Sequence, residues 1–108
     1  DSKDQSALHI IGKKDNKIIA YTRVFKGGDY FKEASIGRVV VSLKERHLNY
    51  GQQIMEASIV AIKNNYQTTE IKISAQKYLE IFYNNLGFNT QGEPYLEDGI
   101  PHIGMLKS

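Results

Sequence analysis

A chain of 108 residues is long enough for one domain with a real core and too short for two. With 41% hydrophobic and 24% charged residues it has the balance of a globular chain, and a net charge of +2 from evenly spread lysines makes no electrostatic case for nucleic acid. The absence of cysteine removes disulfides, thiolate metal sites and cysteine nucleophiles, and no apolar stretch approaches the roughly 20 residues of a membrane span.

In chain order, the apolar run Leu8 to Gly12 is followed by "KKDNK", whose Asp15 and Asn16 suit a turn, and then by the alternating "IIAYTRVF", Ile18 to Phe25. The two runs make a hairpin. "KGGD" (Lys26 to Asp29) is a second turn, and "ASIGRVVV" (Ala34 to Val41) a third strand whose continuous apolar end is expected to be buried on both faces. From Gly51 the period becomes helical, with Met55, Ile59, Ile62 and Tyr66 on one face, over about 14 residues ending at Asn64 and Asn65. "TEIKISA" (Thr69 to Ala75) alternates as a strand. "QKYLEIFYNNLGF" is a second helix that stops at Gly87, a natural C′ residue. Two weak strands close the chain, around Phe88 to Gln91 and Ile100 to Leu106, split by the turn-rich "GEPYLEDG".

The predicted order is β-β-β-α-β-α-β-β over a single domain, residues 1–108: a mixed sheet of the α/β (α+β) class, with a parallel pair at its centre and antiparallel hairpins at its flanks. No signal-peptide pattern opens the chain, so the expected location is the cytoplasm.

A strand that turns straight into a helix presents unpaired backbone N–H groups and partial positive charge at the helix start, which makes an anion site. The loop "KERHLNYGQQI" adds Lys44, Arg46 and His47, and Gly51 lets a ligand approach the backbone closely. It lacks both the P-loop and the dinucleotide-fold patterns. On spacing alone a phosphate site and an ordinary loop with solvated charges both remain open.

The segment "IGRVVVSLKERHLNYGQQIMEASI" resembles the acetyl-coenzyme A binding segment of the GNAT acetyltransferases, whose motif runs Gln or Arg, two residues, Gly, one residue, then Gly or Ala. Arg46 fills the first position and Gly51 the last, while Asn49 stands at the middle glycine. "SAQKYLEIFYNNLGF" is similar to the family's later strand and helix, and "YLEDGIPHIGM" looks specifically like its ElaA-like branch. The strand and two helices with which that fold normally begins have no counterpart here, so the chain is expected to be an incomplete GNAT-like fold.

The resemblance implies an N-acyltransferase that moves an acetyl group from acetyl-coenzyme A to a small-molecule or peptide amine by direct transfer in a ternary complex. Backbone groups of Arg46, His47, Leu48, Asn49, Tyr50 and Gly51, with Gln52 in the first helical turn, would cradle the pyrophosphate. Val39, Val40 and Val41 would pair with the pantetheine arm as an added strand does, and Gln76 joins the cofactor set. Asparagine tolerates left-handed φ, so Asn49 leaves the turn able to form.

Tyr83 falls where the family places the group that protonates the departing thiolate; free tyrosine titrates near pH 10 and so keeps its proton at neutral pH. The alternative for Tyr83 is a core tyrosine. His102 is the best single candidate for the base, while a turn rich in Asp and Gly explains Glu97 and Asp98 beside it without any function. Arg38 either reaches the bound molecules or is simply solvated. No ligand cluster argues for a metal. The alternative function is a non-catalytic coenzyme A-binding or protein-interaction module, and an open sheet edge would invite a homodimer.

Overall fold

The computed structural model describes residues 7–42 and 49–108. Lys44, Arg46, His47 and Leu48 of the loop therefore lie outside the described residues, and so does the side chain of Arg38. The elements are β1 (Leu8–Lys14), β2 (Lys17–Phe25), β3 (Ala34–Val41), α1 (Tyr50–Tyr66), β4 (Ile71–Gln76), a 3-10 turn (Lys77–Leu79) leading into α2 (Glu80–Asn84), β5 (Asn89–Glu97) and β6 (Ile100–Lys107). Their order is the one expected from the sequence.

The strands form one sheet in the order β1-β2-β3-β4-β6-β5, parallel only between β3 and β4. Asp15 and Asn16, both at positive φ, turn β1 into β2, as small polar residues can without large strain. Helix α1 lies on one face of the sheet. Its Ile54, Met55, Ser58 and Ile62 are buried there, at the spacing of a single helical stripe. The buried hydroxyls of Thr22 on β2 and Ser58 on α1 lie 2.6 Å apart, and Ser58 also donates to the Ile54 carbonyl at 2.7 Å, so that polar pair is satisfied within the core.

The structure departs from the expectation in the following ways, each for a physical reason. Helix α1 runs on to Tyr66, whose ring packs against the core, and Gln67 rather than an asparagine takes the left-handed cap at φ 53°. The tail does not break at "GEPYLEDG": β5 continues to Glu97, with a register shift between Gln91 and Tyr95 that absorbs Gly92 and Pro94. An edge strand accepts a proline and a bulge without losing a ladder it does not have on its outer side. Only Asp98 (φ 52°) and Gly99 (φ 76°) form the turn. Finally, the apolar end of β3 is not buried on both faces, since Val40 is 55% exposed.

That last difference has a cause in the ladder. Tyr21 pairs with Val40 but Arg23 pairs with Gly37, so β3 holds one residue more than β2 across this stretch, a β-bulge. On its other side β3 pairs with β4 only at Ala34↔Ile71 and Ser35↔Lys72. The two central strands then part, whereas β4 stays paired with β6 along its whole length, from Ile71↔Lys107 to Gln76↔His102.

At the far end of α2, Gly87 (φ 96°) closes the helix: its N–H reaches the Asn84 carbonyl at 3.0 Å and the Phe88 N–H reaches the Tyr83 carbonyl at 3.1 Å. These are the two hydrogen bonds of a Schellman cap. The cap drops Phe88, 1% exposed, into the core edge-to-face with Tyr83.

Candidate functional site

The parting of β3 and β4 opens a cleft of about 900 Å³ through the sheet. Strand alternation assigns its walls. From the helix side come Val39, Val41, Gly51, Phe82 and Tyr83; from the opposite side come Arg23, Ser74, Gln76, Glu97, Asp98 and His102. Of the residues singled out in the sequence, Val39, Val41, Gly51, Gln76, Tyr83 and His102 thus share one cavity. Val40 points away from it, and Asn49, Tyr50 and Gln52 form the adjoining start of α1.

The start of α1 borders the cleft through Gly51. Asn49 holds φ 62°, ψ 19°, the left-handed conformation foreseen for it, and its carbonyl accepts from Gln53 N at 3.1 Å. Its side chain does not cap the helix, and the first turn holds no acidic residue that would neutralise the dipole. Gly51 leaves room: a Cβ there would sit 3.6 Å from the Phe82 ring and 3.9 Å from Val41 Cγ2, ordinary contact distances on the cleft wall. Nothing in the fold demands glycine at this position, so the space it leaves is available to a ligand.

Tyr83 is 6% exposed, and its ring meets Phe82 and Phe88 edge-to-face. Burial, and secondarily Tyr78, push its pKa up to about 12. The ring is packed in the core, and the residue lines the cleft.

His102 is 7% exposed and held on three sides. Nδ1 lies 2.7 Å from the Ile100 carbonyl, and because a carbonyl only accepts, Nδ1 carries a proton. Nε2 stands 3.4 Å from Glu97 Oε2, and the Tyr95 ring stacks on the imidazole at 6.3 Å and 27°. Ser74 donates to Glu97 Oε1 at 3.3 Å and also bonds the Tyr95 hydroxyl. The sequence groups Glu97 with His102 in one short segment; the register set by the bulge at Gly92 and Pro94 is what brings the carboxylate onto the imidazole.

On the outer flank Glu80 bonds Lys77 and Thr90, and the Lys77 contact foremost holds its carboxyl below the usual range while tying α2 to β5.

A sheet opened between its central parallel strands, with a helix N-terminus at the opening, places the chain in the structural class of the acyl-CoA N-acyltransferases. The crystal structure of such an enzyme from Pseudomonas aeruginosa superposes with a TM-score of 0.84 at 36% identity, over 93% of this chain and 67% of that one. The chain belongs to the GNAT acetyltransferase family, whose domain model matches residues 2–108. It is 38% identical to the protein ElaA of Escherichia coli over 99 residues, 92% of this chain and 65% of ElaA, and the ElaA crystal structure superposes with a TM-score of 0.83. The chain thus spans just under two thirds of the length of that relative. A GNAT acetyltransferase from Elizabethkingia anophelis with acetyl-CoA bound shares the fold at 19% identity and a TM-score of 0.77, covering 98% of this chain and 78% of that one.

Proposed function

We propose that this chain is an N-acyltransferase domain that transfers an acetyl group from acetyl-coenzyme A to an amine. The observation that carries the reading is the parting of β3 from β4 beside the start of α1, with the largely buried Tyr83 on the cleft wall. The family's acyltransferase character, and the acetyl-CoA held by the Elizabethkingia relative, support the choice of donor.

The residues present fit the donor. The first-turn N–H groups of Tyr50, Gly51 and Gln52, which have no intrahelical partner, suit a pyrophosphate, and the missing Cβ of Gly51 gives it access to them. Arg46, His47 and Leu48 would extend that cradle from the loop. The stretch Val39 to Val41, beyond the two residue pairs that join β3 to β4, would run beside an extended amide-bearing arm, as strand addition does. When bound, acetyl-CoA supplies the activated acyl group as a thioester.

The chain's own residues supply orientation and proton handling. Tyr83 donates a hydrogen bond to the sulfur. With its pKa near 12 it is a weak proton source toward a thiol, which in water titrates near 8.5, so its first role is to stabilise charge developing on sulfur. His102 stands on the opposite wall, where an acceptor would enter.

Two measurements test the proposal together. Titration calorimetry with acetyl-CoA should show saturable binding, and thiol release should appear with at least one member of an amine panel. Binding without thiol release would identify a non-catalytic coenzyme A module; no heat and no thermal shift at saturating ligand would leave the chain a fold without a cofactor.

A further inference from the structure

The cleft is polar on one side of the sheet and apolar on the other. The register that pairs Val24 with Ile36 and Ala20 with Val41 puts Ile36 and Val41 on the α1 side of β3, and Ile73 lies on the same side of β4. There the cleft is lined by Ile36, Val41, Met55, Ile73, Leu79 and Phe82, none of them charged. Its deep end lies where the two strands meet. They pair at Ala34↔Ile71 and Ser35↔Lys72, and one residue further on stand Ile36 and Ile73, 5% and 3% exposed, in the same core cluster as the fully buried Met55 of α1. The cleft therefore ends on a closed apolar floor, which suits an alkyl group and not water.

We infer that this floor receives the acyl chain of the donor, and that the cleft prefers unbranched acyl groups of about four carbons to acetyl. The inference rests on the acyltransferase reading above. With the pyrophosphate at the start of α1 and the arm beside Val39 to Val41, the donor runs down β3 toward lower residue numbers, and its acyl end comes last, nearest Ile36. From Val39 to Ile36 the strand advances three residues, about 10 Å. The two methylenes and the sulfur that follow the arm's last amide take up about half of that, and the remaining ~5 Å holds about four carbons at roughly 1.3 Å each.

An acetyl group stops short of the floor and leaves Ile36 and Ile73 facing a gap, with the dispersion contacts across it unmade. Each added methylene fills part of that gap until the chain meets Ile36, Met55 and Ile73. A chain of eight carbons would have to displace one of these from the core, so the three side chains act as a ruler for the donor. The transfer balances in the same way at any chain length: the N–C bond to the amine forms as the C–S bond breaks, the amine gives up one proton, and coenzyme A leaves as the free thiol.

Titration calorimetry with acetyl-, butyryl- and octanoyl-CoA probes the floor without any acceptor. Burial of two further methylenes should make butyryl-CoA bind the unmodified chain about tenfold more tightly than acetyl-CoA, and octanoyl-CoA should bind more weakly than butyryl-CoA. Ile36→Phe raises the floor, and should abolish the butyryl advantage while changing the Kd for acetyl-CoA less than about threefold. Thermal melting verifies that the variant is folded, and where it is not, the three-donor comparison on the unmodified chain decides by itself. Equal affinity for acetyl- and butyryl-CoA, affinity that goes on rising to octanoyl-CoA, or a butyryl advantage that survives in folded Ile36→Phe would each overturn the inference while leaving donor binding, and the acyltransferase reading, in place. No heat with any of the three would remove that reading and this one together.

Discussion

The two walls of the cleft differ in how they are built. The β3–α1 side presents mainly backbone: a bulged strand that leaves β4 after two residue pairs, a helix start without a side-chain cap, and a glycine that leaves space. On the other side the β4–β6 ladder is continuous, and the wall presents side chains fixed to one another, Ser74, Tyr95, Glu97 and His102. A long polar ligand common to many enzymes can be held by a backbone that almost any sequence provides. An acceptor that differs from enzyme to enzyme needs side chains. Changes on the first wall should therefore alter donor affinity, and changes on the second, together with the Tyr83 oxygen, should alter turnover.

The largest expected effect tests that division directly. Tyr83→Phe keeps the ring against Phe82 and Phe88 and removes only the oxygen at the cleft. Loss of one preorganised donor to developing charge should lower kcat on the order of a hundredfold, with the Kd for acetyl-CoA changed less than about threefold. Steady-state rates beside calorimetry would measure both. A large change in Kd at constant kcat would break the comparison between the walls.

The same substitution has a stability signature at high pH. Below pH 10 both the folded and the unfolded chain keep the Tyr83 proton. Between pH 10 and about 12 the unfolded chain releases it while the folded chain, whose phenol is buried, retains it. Protons then favour the folded state, so stability from this group is intact below pH 10 and is lost as pH rises through the folded value. The loss should amount to about 2–3 kcal/mol by pH 12. Urea unfolding midpoints across pH 9 to 12 should fall steeply for the unmodified chain and less steeply for Tyr83→Phe; parallel curves would mean that the phenol is not desolvated.

The first wall was the easier to read. An apolar strand, a basic loop and a helical period are local patterns, and Asn49 could be assigned its left-handed turn because asparagine is one of the few side chains that accept it. What the sequence hid was non-local. The β3 bulge is a mismatch in count between two strands, visible only when both are laid side by side. The pairing of Glu97 with His102 depends on how an edge strand absorbs Gly92 and Pro94, residues that in isolation signal a turn. Tyr83 was located by resemblance to a family, and its raised pKa arises from packing that no single segment reveals.

On the backbone wall, Gly51→Ala separates space from stability. The new Cβ meets Phe82 and Val41 at ordinary contact distances, and alanine favours a helix over glycine by about 0.5–1 kcal/mol, so the melting temperature should hold or rise. Donor affinity should fall about tenfold, because the methyl group occupies the approach to the first-turn N–H groups. A fall in both would mean that Gly51 serves packing instead.

The smallest effect belongs to Asn49. Its φ of 62° carries a modest strain that glycine would relieve, so Asn49→Gly should change donor affinity less than about twofold and stability by no more than about 1 kcal/mol. Asn49→Val is the sharper variant. A β-branched side chain at positive φ costs more, on the order of 1–3 kcal/mol, and would pull the residue toward extended backbone and reorient the N–H groups that follow it. Valine should then weaken donor binding well beyond what glycine does, while both leave the kcat of the donor-saturated domain within about twofold, since neither touches the second wall. If glycine tightened donor binding severalfold, asparagine would be an impaired stand-in for the motif's middle glycine. Equal binding in the two would instead mean that the left-handed turn, and not the residue that makes it, is what the anion site requires.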